Sequence, residues 1–140
     1  MPGVAMPVPA GTDMRMDNVC MGRLRRWTFR RDHPRDAWRA RSRPPADRNT
    51  IEAVETFAFE INHLDDIACF VDRWVFGTAT DPWYRGGTEA VGLHLVDGAA
   101  VELRDRYGQF RNTEMSRTEF RAVLDGLLRA LIDESNDLGR

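Results

Sequence analysis

The clearest periodic signal in the chain lies between Glu89 and Ile132. Val91, Leu93 and Leu95 alternate with Gly92 and His94, and Val101 and Leu103 alternate with Glu102 and Arg104. A period of two marks strands with one buried face. The Asp97-Gly98 dipeptide between them signals a hairpin. A two-residue loop there pairs Leu93 with Glu102, which mixes apolar and charged groups on one face. Because a slip of one residue flips every side chain, the pattern selects against that register. It predicts instead a three-residue loop, Val96-Asp97-Gly98, pairing Leu95 with Ala99, Leu93 with Val101 and Val91 with Leu103. His94 and Glu102 are then diagonal neighbours.

A second turn is predicted at Asp105-Arg106-Tyr107-Gly108, with Phe110 opposite Leu103 and a short edge strand over 109–113. Ser116-Arg117-Thr118-Glu119 has the form of a capping box. Behind it, Phe120, Val123, Leu124, Leu127, Leu128 and Leu131 recur at helical spacing, so a helix covers the open face of the sheet.

Upstream, Phe57, Phe59 and Ile61 alternate with Thr56, Ala58 and Glu60 and predict a first strand, while Ile51 and Val54 before them permit a helical turn instead. Asn62 is placed to cap a helix whose stripe is Leu64, Ile67, Ala68, Val71, Trp74 and Val75, with Gly77 as its stop. Residues 78–88 then form a long connection. The predicted class is α+β: a small antiparallel sheet of three to four strands with two helices packed on one face. The order helix, three strands, helix resembles that of double-stranded-RNA-binding domains. The resemblance stops at order, because Ser116-Arg117-Thr118-Glu119 in an acidic body does not supply the basic residues such domains carry at their last helix.

Charge changes this picture more than composition does. Residues 1–49 carry 11 Arg against 5 acidic residues, whereas residues 50–140 carry 9 Arg against 17, so a basic segment precedes an acidic one. The chain accordingly divides into a basic, Pro/Arg-rich extension over 1–48, disordered or loosely docked, and an acidic α+β domain over 49–140. No apolar run approaches the roughly 20 residues that span a bilayer. Two isolated cysteines, Cys20 and Cys69, read as reduced thiols, and a cytoplasmic setting without membrane contact is expected. Cys69 is expected beside buried helical positions, away from any chemistry.

Candidate chemistry is sparse. No metal-ligand spacing, nucleophile elbow or phosphate loop is present, so no cofactor or metal is expected, and nothing in the sequence supports an enzyme. Three groups of residues stand out. Trp83, Tyr84 and Arg85 in the 78–88 connection belong to the types most enriched at binding hot spots, and Arg106 and Tyr107 on the distal turn extend the same surface. His94, Glu102 and Arg104 share the outer sheet face, where a His–Glu acid–base pair is conceivable. Arg25, Arg26, Trp27, Arg30, Arg31 and Trp38 interleave basic and aromatic groups, the composition of a nucleic-acid-binding arm.

The leading expectation is a small non-enzymatic protein-interaction module, an immunity- or antitoxin-type inhibitor or a regulatory adaptor, whose acidic body meets a partner with a basic surface. Two alternatives are a nucleic-acid-associated regulator acting through the arm, and a small-molecule or catalytic site beneath the 78–88 loop.

Overall fold

The computed structural model describes residues 24–138. Its elements run β1 (Arg26–Arg30), β2 (Arg39–Arg43), α1 (Arg48–Ala58), α2 (Leu64–Thr80), β3 (Arg85–Gly87), β4 (Val91–Val96), β5 (Ala100–Asp105), β6 (Thr113–Ser116) and α3 (Arg117–Leu138). The fold is α+β, with a four-stranded antiparallel sheet in the order β3-β4-β5-β6 and a separate β1–β2 hairpin. The single sheet and two helices expected from sequence are thus joined by a second, two-stranded sheet and a third helix.

The β4–β5 hairpin keeps the apolar face that its alternation demands, in another register. Leu93 faces Leu103, Leu95 faces Val101 and Val96 faces Ala100, so the three loop residues are Asp97, Gly98 and Ala99. Asp97 (φ 51°) and Gly98 (φ 68°) are both left-handed, as a primed hairpin turn requires. The amide of Ala99 closes that turn on the Val96 carbonyl at 3.0 Å. The extra residue therefore falls after Gly98, not before Asp97. The pairing moves by two positions and side-chain polarity is preserved.

The third meander strand also begins later than its composition indicates. The Asp105 carboxylate accepts the amides of Tyr107 (3.2 Å) and Gln109 (3.0 Å), and Asn112 Oδ1 accepts the Asp105 amide at 2.8 Å. These bonds hold 106–112 as a looped connection. β6 follows and sets Met115 opposite Val101. Ser116 caps α3 as expected, accepting the Glu119 amide at 3.0 Å. The Glu119 side chain does not complete a capping box but is drawn to the β1 segment.

The segment read as a first strand is the end of a helix, which closes at Ala58, and the turn that follows it. Phe57 and Ile61 are both buried, and that pairing suits a four-residue helical repeat as well as a period of two; Phe59 between them is 60% exposed. The Asp47 side chain caps α1 by accepting the Thr50 amide at 3.1 Å. Helix α2 is entered from His63, whose amide donates to Asp66 at 3.0 Å, rather than from Asn62. It buries Ile67, Phe70, Trp74 and Thr78, so Leu64, Ala68 and Val75 fall on its exposed side, as does Cys69. Gly77 does not stop the helix, which continues to Thr80.

Val91, Leu93, Leu95, Val101, Leu103 and Met115 pack beneath the helices. Phe57, Phe70, Trp74 and Phe120 form an aromatic cluster there, with ring centroids 5.1–6.4 Å apart. The largest departure concerns 24–48. Trp27, Phe29 and Trp38, expected on a loose extension, are buried in the same core. The β1–β2 hairpin lies against α3 at Gly126, where an added Cβ would come 2.2 Å from the Trp27 carbonyl oxygen. Residues 1–23 of that extension lie outside the described residues.

Candidate functional site

The hairpin register aligns one residue from each strand across the outer face of the large sheet. Arg85 pairs with His94, His94 with Glu102, and Glu102 with Glu114. His94 and Glu102 are directly opposite, not diagonal. Burial, followed by the positive charges of Arg104 and Arg85, lowers the His94 pKa, and Glu102 opposes this only in part. A neutral imidazole beside the carboxylate is the result. Arg104 reaches Glu102 at 4.0 Å on the same exposed face, so the row is a polar surface, with no concavity to hold a substrate over it among the described cavities.

The Trp83-Tyr84-Arg85 triplet is divided by the fold. The expected eleven-residue loop contributes its first residues to α2 and its last to β3, leaving a turn over 81–84. The Asp81 carboxylate accepts the Trp83 amide at 2.9 Å, and Trp83 stands 59% exposed. Tyr84 turns inward. Its ring meets Trp74 edge-on at 5.7 Å and lies over Gly77, where an added Cβ would come within 2.1 Å of it. The gap beside it, lined by Phe70, Arg73, Trp74, Tyr84, Gly86 and Gly87, is about 80 Å³, against roughly 300–1,000 Å³ for ligand pockets.

Nor does the distal turn extend the Trp83 surface. Pro82 bonds to Gly98 at one end of β4, while Arg106 bonds to Ala90 at the other. Six strand residues separate the two ends, about 20 Å. Arg106 lies over Gly92 on the outer face, with its guanidinium 3.3 Å from where a Cβ would stand. Tyr107 turns away from it, toward Glu89.

Most of the aromatic–arginine candidates of 25–38 hold the fold together. Trp27 Nε1 donates to Glu119 at 3.0 Å, and Arg25 pairs with the same carboxylate at 3.1 Å. Trp38 Nε1 donates to the Ile61 carbonyl at 2.9 Å. The Arg31 side chain is fully buried, bonds both oxygens of Glu134 at 2.8 and 2.9 Å, and lies 3.8 Å over the Trp38 ring. Arg26 and Arg30 alternate with Trp27 and Phe29 and remain exposed.

A concave feature that the sequence did not disclose is a cleft of about 610 Å³ built by four separated segments. Helix α1 presents Glu52, Glu55 and Thr56 to it, and its C-cap Phe59 continues the helical spacing, followed by Glu60. Ala37, Trp38 and Arg39 come from the hairpin, Glu89 and Ala90 from the β3–β4 turn, and Tyr107 and Gln109 from the β5–β6 connection. Four carboxylates thus stand against one guanidinium. Glu55 accepts the Ala40 amide at 2.8 Å, and Glu60 accepts the amides of Glu89 and Ala90 at 3.1 and 2.9 Å, which locks the cleft's segments together. Tyr107 Oη donates to Glu89 at 3.3 Å, and the negative charge of Glu89 raises the phenol's pKa, keeping it protonated. The rings of Phe59 and Tyr107 remain well exposed. Reading 57–61 as a strand hid this arrangement, since a strand sends Phe59 to the same face as Phe57 and Ile61.

Comparison with protein-family models, with curated proteins and with solved structures finds no match for the chain. No helix among the described residues is long and apolar enough to cross a membrane.

Proposed function

We propose that the protein is a small non-enzymatic interaction module that seats a basic segment of a partner protein in the cleft between α1, the hairpin and the β5–β6 connection. The observation that carries this reading is the convergence of Glu52, Glu55, Glu60 and Glu89 with the open rings of Phe59 and Tyr107. Carboxylates and aromatic faces both favour a cation, and an arginine or lysine side chain presents one at the end of an apolar stem. The acidic surplus after residue 49 adds long-range attraction, which raises the encounter rate with a positively charged surface. An inhibitor that occludes a basic active site, of immunity or antitoxin type, or a regulatory adaptor, fits this chemistry.

Isothermal titration with an oligoarginine peptide, and with an oligoglutamate peptide as control, tests the reading. Saturable binding of the basic peptide is expected, weakened about tenfold in a Glu52→Gln/Glu89→Gln variant and further by added salt. Equal binding of both peptides, or an unaffected variant, would remove the cleft from consideration.

A further inference from the structure

The β1–β2 hairpin has two faces of opposite character. Its inner face carries Trp27, Phe29, Ala40 and Ser42. Its outer face carries Arg26, Thr28 and Arg30 on one strand and Arg43, Arg41 and Arg39 on the other, all exposed. The register sets Arg26 opposite Arg43, Thr28 opposite Arg41 and Arg30 opposite Arg39. Five guanidinium groups and one hydroxyl therefore fill a two-by-three array. Among the described residues, none of the five arginines has a carboxylate partner within salt-bridge distance.

Like charges directly opposite each other on paired strands destabilise the pairing. Two such pairs are retained here although acidic residues are abundant in the rest of the chain. The hairpin is held despite them from its other face, by the buried rings against α3 and by the Arg31–Glu134 and Trp27–Glu119 bonds. The outer face is thus free of any part in the core.

We infer that this face docks on the phosphate backbone of double-stranded nucleic acid. Guanidinium is the side-chain group best shaped for phosphate, which it meets through paired N–H donors. Alternate residues along a strand are about 6.7 Å apart and the two rows about 5 Å apart. The array's rows are spaced by the paired backbone, which suits its donors to a regular row of anions. A duplex offers one charge per roughly 3.4 Å of each strand, and its major groove is wide enough to admit a two-stranded ribbon. Single strands are ordinarily held by stacking on aromatic side chains, yet the hairpin's rings, Trp27, Phe29 and Trp38, all lie on the reverse side. Nothing in the array reads base edges, so binding is through the backbone and independent of sequence. The array meets the acidic cleft only at Arg39, which lines both; its other four arginines, Arg26, Arg30, Arg41 and Arg43, lie outside the cleft.

The test is fluorescence anisotropy with the full-length protein and a labelled duplex of arbitrary sequence, titrated between about 50 and 300 mM salt. The wild type is compared with an Arg26→Gln/Arg41→Gln/Arg43→Gln variant. An Arg73→Gln/Arg111→Gln/Arg121→Gln variant makes the same change in net charge elsewhere on the surface. The six positions are exposed, so circular dichroism should show all three proteins folded. The wild type is expected to bind with a steep salt dependence, up to about 0.9 in logarithmic slope for each phosphate neutralised. The hairpin variant should lose at least tenfold in affinity and about 2.7 in slope, and the control variant should change little. Absence of binding at low salt, equal loss in both variants, tighter binding of a single strand of the same length, or displacement by an equal charge of polyglutamate would each overturn the inference.

Discussion

The indole Nε1 of Trp27 donates a 3.0 Å hydrogen bond to Oε2 of Glu119, joining residues 92 positions apart. The same carboxylate holds Arg25. Through this contact the first strand of the hairpin is fastened to the last helix, and residues that read as an extension become part of the core. Removing the Trp27 ring should cost about 3–5 kcal/mol. A chain beginning at Leu24 is expected to unfold cooperatively in urea. One beginning at Asn49, which lacks Trp27, Phe29, Trp38 and the Asp47 cap, should show no cooperative transition. A cooperative, native-like melt from the shorter chain would refute this.

Gly126 gives a prediction whose sign runs against helix propensity. Alanine in a helix interior is ordinarily favoured over glycine by about 1 kcal/mol. Here the new Cβ would meet the Trp27 carbonyl oxygen at 2.2 Å, a backbone atom that cannot rotate aside. Gly126→Ala should therefore lower the melting temperature. A rise would show that the hairpin is not seated on the helix.

Arg31 is a site where charge alone is insufficient. Its guanidinium makes paired bonds to Glu134, donates to Asn62 Oδ1 at 2.8 Å and stacks on Trp38. Lysine keeps the charge but not the fork or the planar stack. Arg31→Lys should cost about 2–3 kcal/mol in chemical denaturation, much of the loss for a broken buried pair. Stability within about 0.5 kcal/mol of wild type would contradict the pairing as described.

The His94 environment fixes the sign of a pH effect. Its folded-state pKa is depressed, by burial first and by Arg104 second, so protonation is harder in the folded protein than in the unfolded chain. Stability is therefore fully present above the ordinary histidine value of 6.5 and falls as pH drops through the lowered folded value. Asp47 and Asp105 are depressed as well, by hydrogen bonds from Thr50 and from the Gln109 amide respectively, so both remain ionised in this range. Urea denaturation at pH 7.5 and at pH 5.0 should show a smaller difference for His94→Gln than for wild type. An unchanged or larger difference would sink the assignment.

Legibility varied with the range of the interactions involved. The α3 stripe from Phe120 to Leu131 could be read directly because one face meets one core. The alternation in β4 and β5 revealed the buried face, but the Asp97-Gly98 turn did not reveal on which side its extra residue lies. Arg26-Trp27-Thr28-Phe29-Arg30 contains a clear period of two, as does Arg39-Ala40-Arg41-Ser42-Arg43. The density of arginine obscured it, because the charges are read first. The cleft was not legible at all. Its carboxylates come from two segments, 52–60 and Glu89, about thirty residues apart, and only the helical form of 48–58, capped by Phe59, aims Glu52, Glu55 and Phe59 together.

The most direct measurement is an NMR titration of the ¹⁵N-labelled full-length protein with an oligoarginine peptide, following backbone amides. Saturable shifts are expected at 52–60, at Glu89 and Ala90, and at 107–109, with the Trp83 turn and the outer face of β4 and β5 unmoved. Shifts confined to 81–85 and His94, or no saturable shifts at all, would contradict the assignment of the cleft as the binding surface.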